Sequence, residues 1–157
     1  MVGFSDSDWA FSNLEHRRSM TEYSIFLCGG LIAWRSCLQT TVAKSATEAE
    51  YYATINCIDE VTFMNQLLLK LGIETETVPI YEDNKGAVEM AGNPVYHKRV
   101  KHIDIRYHAI REKVADGIVI VLEIPCRANF ADVHTKGVSK VVFDTLSPFI
   151  VSRMEIL

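Results

Sequence analysis

The sequence predicts an α/β fold in which a mixed β-sheet is flanked by helices. Strand-like runs fill the beginning of the chain, and further on helical segments alternate with short apolar runs. The first pattern favours antiparallel hairpins, and the second is typical of parallel strands that are joined through helices. The 157 residues, 48% of them hydrophobic, suffice for one domain with a sizeable core. We expect this domain over residues 1–147 and a tail over residues 148–157.

Three strands are predicted first, over residues 2–9, 21–27 and 31–38. Side chains alternate along a strand, so the first strand would carry Phe4 and Asp6 on one face, together with Val2 and Asp8. Cys28-Gly29-Gly30 is typical of a hairpin turn between the second and third strands. The chain is therefore expected to open with an antiparallel meander.

The longest predicted helix covers residues 47–71 and contains two acids, Glu48 and Glu50. Residues two positions apart on a helix project about 200° from one another, so only one of these acids can face the core. Steps of three and four from Glu50 give an apolar stripe: Ala53, Cys57, Val61, Met64, Leu68 and Leu71. Glu50 should face the sheet and Glu48 the solvent. Either Ser45 with Glu48 or Thr47 with Glu50 could form a capping box, and only the first leaves Glu50 available for another role.

The second half of the chain predicts two more strands, over residues 78–81 and 118–124. Helices are predicted over residues 84–91, 103–115, 138–146 and near 128–136. Asp83 closes the first of these strands, and Asp132 follows the second. Ligand-binding groups collect at the carboxyl ends of such strands, so Asp6, Glu50, Asp83 and Asp132 could together hold divalent cations. Alternatively, Asp83 merely caps the helix that follows it.

Charge, cysteine content and hydrophobicity argue against a nucleic-acid-coating protein, a zinc protein and a membrane protein. The formal net charge of -4 argues against a protein that coats nucleic acid, although residues 97–113 are locally basic. The four cysteines form no CxxC pair, which predicts reduced thiols and, beside the histidines, argues against a zinc site. Without a leader or a long apolar run, we expect no membrane contact and a cytoplasmic location, with a nuclear one as the alternative.

Five motifs resemble, in order, those of the ribonuclease H domain of copia-type retrotransposon Pol polyproteins. They are GFSDSDWA, TEAEYYA, IYEDNKGA, NPVYHKRVKHIDIRYHAIREKV and NFADVHTKG, and they run through most of the chain. The resemblance implies a ribonuclease H-like fold with a five-stranded mixed sheet. It also implies that Asp6, Glu50, Asp83 and Asp132 are the catalytic, metal-binding acids, with Asp6 between two Mg²⁺ ions for which Mn²⁺ can substitute.

The implied reaction is hydrolysis of the RNA strand of an RNA/DNA hybrid during reverse transcription. A reverse transcriptase domain would normally lie N-terminal to this one. Hybrid binding is expected from Asn84 and from basic residues: Lys85, Lys98, Arg99, Lys101 and Arg106. A solvated helix face is the alternative for the basic segment, and His134 could assist product release. Lys85 stands where the family usually has Gln. The alternative function is a catalytically silent domain of the same fold that binds nucleic acid or a protein.

Overall fold

The computed structural model describes residues 1–10, 17–92, 104–134 and 139–150, with the backbone alone for 104–109. The strands are β1 (Val2–Asp8), β2 (Met20–Leu27), β3 (Gly30–Leu38), β4 (Val78–Glu82) and β5 (Val119–Glu123). The helices are α1 (Ala46–Lys70), α2 (Lys85–Gly92), α3 (Asp104–Ala115) and α4 (Lys140–Ile150). In the described part of the chain, no helix is both long enough and apolar enough to span a membrane.

The strands form one mixed sheet in the order β3-β2-β1-β4-β5. β1 pairs antiparallel with β2, which pairs antiparallel with β3. On its other side β1 pairs parallel with β4, and β4 pairs parallel with β5. The predicted α/β class, the opening meander and the parallel later strands are therefore confirmed. β1 is the central strand, and its carboxyl end lies at the same edge of the sheet as that of β4.

The two faces of the sheet carry different packing. On one face β1 lies so close to α1 that a Cβ atom added to Gly3 would be 2.9 Å from the Sγ atom of Cys57. The other face carries an aromatic cluster in which the ring centroid of Phe4 lies 5.8 Å from that of Phe26 and 4.8 Å from that of Phe130. The alternation of side chains along β1 thus separates the helix-packed face from the aromatic face.

The apolar stripe of α1 is confirmed only over the first part of the helix. Ala53, Cys57 and Val61 are fully buried, whereas Leu71, at the end, is 67% exposed. A helix of 25 residues is about 37 Å long and a seven-residue strand about 24 Å, so α1 extends beyond the sheet that it covers. The prediction that Leu71 packs on the sheet was therefore wrong.

The helix predicted near 128–136 is not continuous in the described residues. Two short 3₁₀ turns, Cys126–Ala128 and Asp132–His134, replace it. Between them the side chain of Asn129 donates to the carbonyl oxygen of Ser5 at 2.8 Å and accepts from the Ala131 N–H at 3.1 Å. These bonds fix the backbone in a non-helical path. α4 continues to Ile150, so residues 148–150 of the expected tail are helical, and the domain boundary at 147 stays a prediction.

Candidate active site

Three of the predicted acids converge at one edge of the sheet. Asp6 lies near the carboxyl end of β1, Asp83 directly follows β4, and Glu50 lies in the first turns of α1. Each offers a carboxylate oxygen, and these oxygens all lie within 4.8 Å of one another. We call Asp6, Glu50 and Asp83 the acid cluster. Because β1 and β4 are parallel, the order of the strands by itself brings Asp6 and Asp83 together.

Glu50 can join the cluster because a different pair of residues caps α1. The Oγ atom of Ser45 accepts the Glu48 N–H at 3.2 Å, and the Glu48 carboxylate accepts the Lys44 N–H at 2.8 Å. Glu48 is partly exposed, whereas Glu50 is 8% exposed and faces the sheet. This confirms the interpretation in which Ser45 is the cap and Glu50 is available for another role.

Mutual repulsion and burial dominate the electrostatics of the acid cluster. Burial, followed by the nearby carboxylates of Glu82, Asp6 and Asp83, raises the pKa of Glu50 to about 10. The Oε2 atom of Glu50 is buried and accepts no hydrogen bond from any described residue, and the side chain of Ser7, which interacts with the Glu50 carboxyl group, only partly opposes the rise of the pKa. Carboxylate oxygens are the ligands that Mg²⁺ and Mn²⁺ prefer, and a cation would supply the missing partner and the missing positive charge. The acid cluster therefore fits a divalent cation.

Asp132 lies beside the acid cluster rather than within it. It begins the second 3₁₀ turn and is partly buried. Near it lies Cys126, which is exposed as a residue. Partial burial of its thiol, a hydrogen bond with Asp83 and the charges of Asp83, Asp132 and Asp6 raise the pKa of Cys126 to about 11. The thiol therefore lies near acids from three segments of the chain. The role of Asp132 as a fourth metal ligand stays a prediction.

His134 is held in the same 3₁₀ turn by two residues of the sheet. Its Nε2 atom lies 2.7 Å from the Oγ atom of Ser24, and its ring stacks on Trp34 at a centroid distance of 5.4 Å. Burial lowers the pKa of His134. These contacts attach the 3₁₀ turn, which contains Asp132, to β2 and β3. A role of His134 in product release stays a prediction.

Glu82 is the residue that the sequence argument passed over in favour of Asp83. Its side chain is completely buried, and its Oε2 atom accepts hydrogen bonds from Ser5 Oγ at 2.7 Å and from Thr54 Oγ1 at 2.9 Å. Its Oε1 atom accepts the Asn84 N–H at 3.1 Å. Burial raises the pKa of Glu82, and these hydrogen bonds oppose the rise. The available signal was alternation, which places Glu82 on the same face of β4 as the buried Val78 and Ile80.

The helix after Asp83 is capped by Asn84 and not by Asp83. The Oδ1 atom of Asn84 accepts the Ala87 N–H at 3.1 Å, so the alternative in which Asp83 is only a cap was wrong. Lys85 begins α2 with its side chain 72% exposed, 4.0 Å from Glu89. Among the other residues predicted to bind nucleic acid, Lys98, Arg99 and Lys101 lie outside the described residues, as does the side chain of Arg106.

The chain is similar to plant transposon proteins over 92% of its length. It is 40% identical over 144 residues to the retrovirus-related Pol polyprotein from transposon TNT 1-94 of Nicotiana tabacum and 39% identical over 145 residues to that from transposon RE2 of Arabidopsis thaliana. It spans only 11% and 10% of the lengths of these two relatives. No family model matches the chain.

Solved structures of low sequence identity share the fold. LC11-RNase H1, isolated from compost by a metagenomic approach, superimposes with a TM-score of 0.61 at 18% identity, over 83% of this chain and 89% of that one. The same protein in complex with an RNA/DNA hybrid superimposes with a TM-score of 0.58 at 14% identity, over 82% and 87%. By sequence the chain is related to the copia-type Pol polyproteins of plant transposons, and by fold it has the five-stranded mixed sheet flanked by helices of the ribonuclease H domains.

Proposed function

We propose that this domain hydrolyses the RNA strand of an RNA/DNA hybrid by a two-metal mechanism, as part of reverse transcription. The acid cluster is the observation that carries the proposal, because its three carboxylates meet at the carboxyl edge of the central strands and fit a divalent cation. The fold supports it, since a protein of the same fold has been crystallised with an RNA/DNA hybrid.

Asp6, Glu50 and Asp83 would hold the cations, with Asp132 completing their coordination from the neighbouring 3₁₀ turn. Two bound Mg²⁺ ions, or Mn²⁺ in their place, would generate a hydroxide nucleophile from water and stabilise the leaving 3′ oxygen. Because burial and the neighbouring carboxylates raise the pKa of Glu50, a cation would compete with a proton for this carboxylate. Metal affinity should therefore increase with pH.

The hybrid would be bound through its backbone rather than its bases, as is usual for A-form-like duplexes. Asn84 and Lys85 directly follow Asp83 and are well placed to meet a phosphate near the metals. The contact of Lys85 with Glu89 is exposed and long, and such pairs contribute little stability, so the ammonium group remains available to a phosphate. We propose the same role for Lys98, Arg99, Lys101 and Arg106.

The polymerase that makes the hybrid is the second proposed partner. This chain spans about a tenth of the Pol polyproteins that it matches, so other parts of such proteins would act with it. In the proposed arrangement a reverse transcriptase domain precedes this one and delivers the hybrid to it. The isolated domain would then bind hybrid more weakly than the polyprotein does.

The test is to incubate the purified protein with a labelled RNA/DNA hybrid and Mg²⁺ or Mn²⁺, alongside duplex RNA and duplex DNA. We expect loss of the RNA strand of the hybrid only. Asp83→Asn should abolish cleavage, whereas Asp116→Asn, an equivalent change at an exposed turn, should not. A folded protein that cleaves nothing with either metal, even after a reverse transcriptase is added in trans, would contradict the proposal and favour a catalytically silent binding domain.

A further inference from the structure

Glu82 lies directly behind the acid cluster, on the face of the sheet that packs on α1. It is 0% exposed, and its carboxylate accepts three hydrogen bonds from three separate segments of the chain. The donors are Ser5 Oγ in β1 at 2.7 Å, Thr54 Oγ1 in α1 at 2.9 Å and the Asn84 N–H at the start of α2 at 3.1 Å. A buried carboxylate is costly unless its oxygens are bonded in this way.

Each of these donors adjoins one member of the acid cluster. Ser5 immediately precedes Asp6, and Asn84 immediately follows Asp83. Thr54 lies one helical turn after Glu50, and its Oγ1 atom is also 3.0 Å from the Glu50 carbonyl oxygen, a second acceptor for the same hydroxyl proton. The Glu82 carboxylate is thus linked to the backbone segment of every acid in the cluster.

We propose that Glu82 is a positioning residue that sets the spacing of Asp6, Glu50 and Asp83 and thereby the affinity of the site for divalent cations. This inference rests on the proposed function, since it assumes that the acid cluster binds metal. A carboxylate suits the role because both of its oxygens accept hydrogen bonds, so it can join three donors at once. The ionised acids of the cluster repel one another without a cation, so their spacing needs support from neighbouring groups.

The effect of the charge that Glu82 carries when it is ionised must be separated from the effect of its hydrogen bonds. Glu82→Gln removes the charge, yet its amide oxygen can accept the Asn84 N–H while its amide nitrogen donates to the two hydroxyl oxygens. Glu82→Ala removes the same charge together with all three hydrogen bonds. A difference between these two variants therefore reports on positioning and not on repulsion.

Thr54 provides a milder test with a matched control. Thr54→Val deletes the hydroxyl that reaches Glu82 and keeps the shape of the side chain. Thr62, two turns further along α1, bonds in the same way to a carbonyl four residues earlier, with Thr62 Oγ1 donating to the Ile58 oxygen at 2.8 Å. Thr62→Val removes that bond away from the site, so it controls for the loss of a threonine hydroxyl from the helix.

The experiment measures Mn²⁺ binding by electron paramagnetic resonance, with the folded fraction of each variant determined by circular dichroism. We expect Kd for Mn²⁺ to rise roughly tenfold or more in Glu82→Ala, the range found when groups that orient metal ligands are removed, and to rise less in Thr54→Val. Glu82→Gln and Thr62→Val should remain close to the wild type. In cleavage assays the half-saturating Mg²⁺ concentration should rise while KM for the hybrid stays constant.

Two results would overturn the inference, and they can be told apart. Equal Kd values for Mn²⁺ in the wild type, folded Glu82→Ala and Thr54→Val would leave Glu82 with a purely structural role, while the proposed function stands. A wild-type protein that binds no Mn²⁺ would overturn the proposed function and, with it, the inference. If Glu82→Ala does not fold, Thr54→Val against Thr62→Val decides the matter.

Discussion

Replacing Glu50 with Gln should stabilise the metal-free protein, although it removes one of the proposed catalytic acids. The pKa of Glu50 is raised from 4.5 to about 10 in the folded chain. Between these values the folded protein retains a proton that the unfolded chain releases. The contribution of Glu50 to the free energy of unfolding is therefore fully present below its pKa in the unfolded chain. It is lost progressively as the pH rises toward its pKa in the folded protein. Gln carries no titrating proton, so the variant does not incur this loss.

The size of the effect follows from the pKa difference. In this range the wild type loses about 1.4 kcal/mol of its free energy of unfolding per pH unit through Glu50. The difference in free energy of unfolding between the variant and the wild type should therefore increase by up to about 3 kcal/mol from pH 5 to pH 7. The gain has a structural reason beyond the titration. The Oε2 atom of Glu50 accepts no hydrogen bond from the described residues, and an amide nitrogen in its place could donate to Asp6 or Asp83.

The assay is urea unfolding followed by circular dichroism at pH 5, 6 and 7, in EDTA and again in Mn²⁺. Glu48→Gln is the control, because it makes the same change two residues away and keeps an oxygen for the Lys44 N–H. In EDTA the difference between Glu50→Gln and the wild type should grow with pH, and Mn²⁺ should stabilise the wild type more than the variant. Parallel pH profiles for Glu50→Gln and the wild type would refute the argument from burial and repulsion.

Three other changes test the structure around the site. Gly3→Ala places a methyl group 2.9 Å from Cys57 Sγ and should cost about 1 to 3 kcal/mol in urea unfolding; an unchanged midpoint would contradict the close packing of β1 on α1. Ser45→Ala removes the N-cap of α1 and should cost about 1 kcal/mol in the same assay, and a cost near zero would count against this cap. Trp34→Ala exposes the ring of His134, so NMR titration should show its pKa rising toward about 6.5; a static pKa would mean that Trp34 does not shield the ring.

Most of the fold could be predicted because its signals are local. Alternation along the strands and the apolar stripe of α1 located the elements to within a few residues, and rules of chain connection gave the mixed sheet. The segment after β5 could not be predicted in this way. Its path depends on Asn129, whose side chain bonds to the carbonyl oxygen of Ser5, 124 residues earlier in the chain. No local sequence pattern predicts that contact.

The acid cluster could also be predicted from local signals, whereas the hydrogen bonds of Glu82 behind it could not. Helix geometry selected Glu50 over Glu48, and the ends of parallel strands indicated Asp83. Glu82 is different, because its hydrogen-bond partners Ser5 and Thr54 lie 77 and 28 residues away in the sequence. Alternation along β4 could have placed Glu82 on the buried face, but only the assembled sheet and helix show which groups bond to its carboxylate.

Glu82 has two opposite effects on the acid cluster, and a bound cation changes their balance. Its charge is the largest carboxylate contribution to the raised pKa of Glu50, so without metal it makes the site harder to ionise. Its hydrogen bonds hold the segments that carry the three acids at a fixed spacing. A divalent cation would offset the repulsion but would still need that spacing, because metal affinity depends on the geometry of the ligands. A buried acid that raises the energy of the metal-free site can therefore still support metal binding, and comparing Glu82→Gln with Glu82→Ala would separate the effect of the charge from that of the hydrogen bonds.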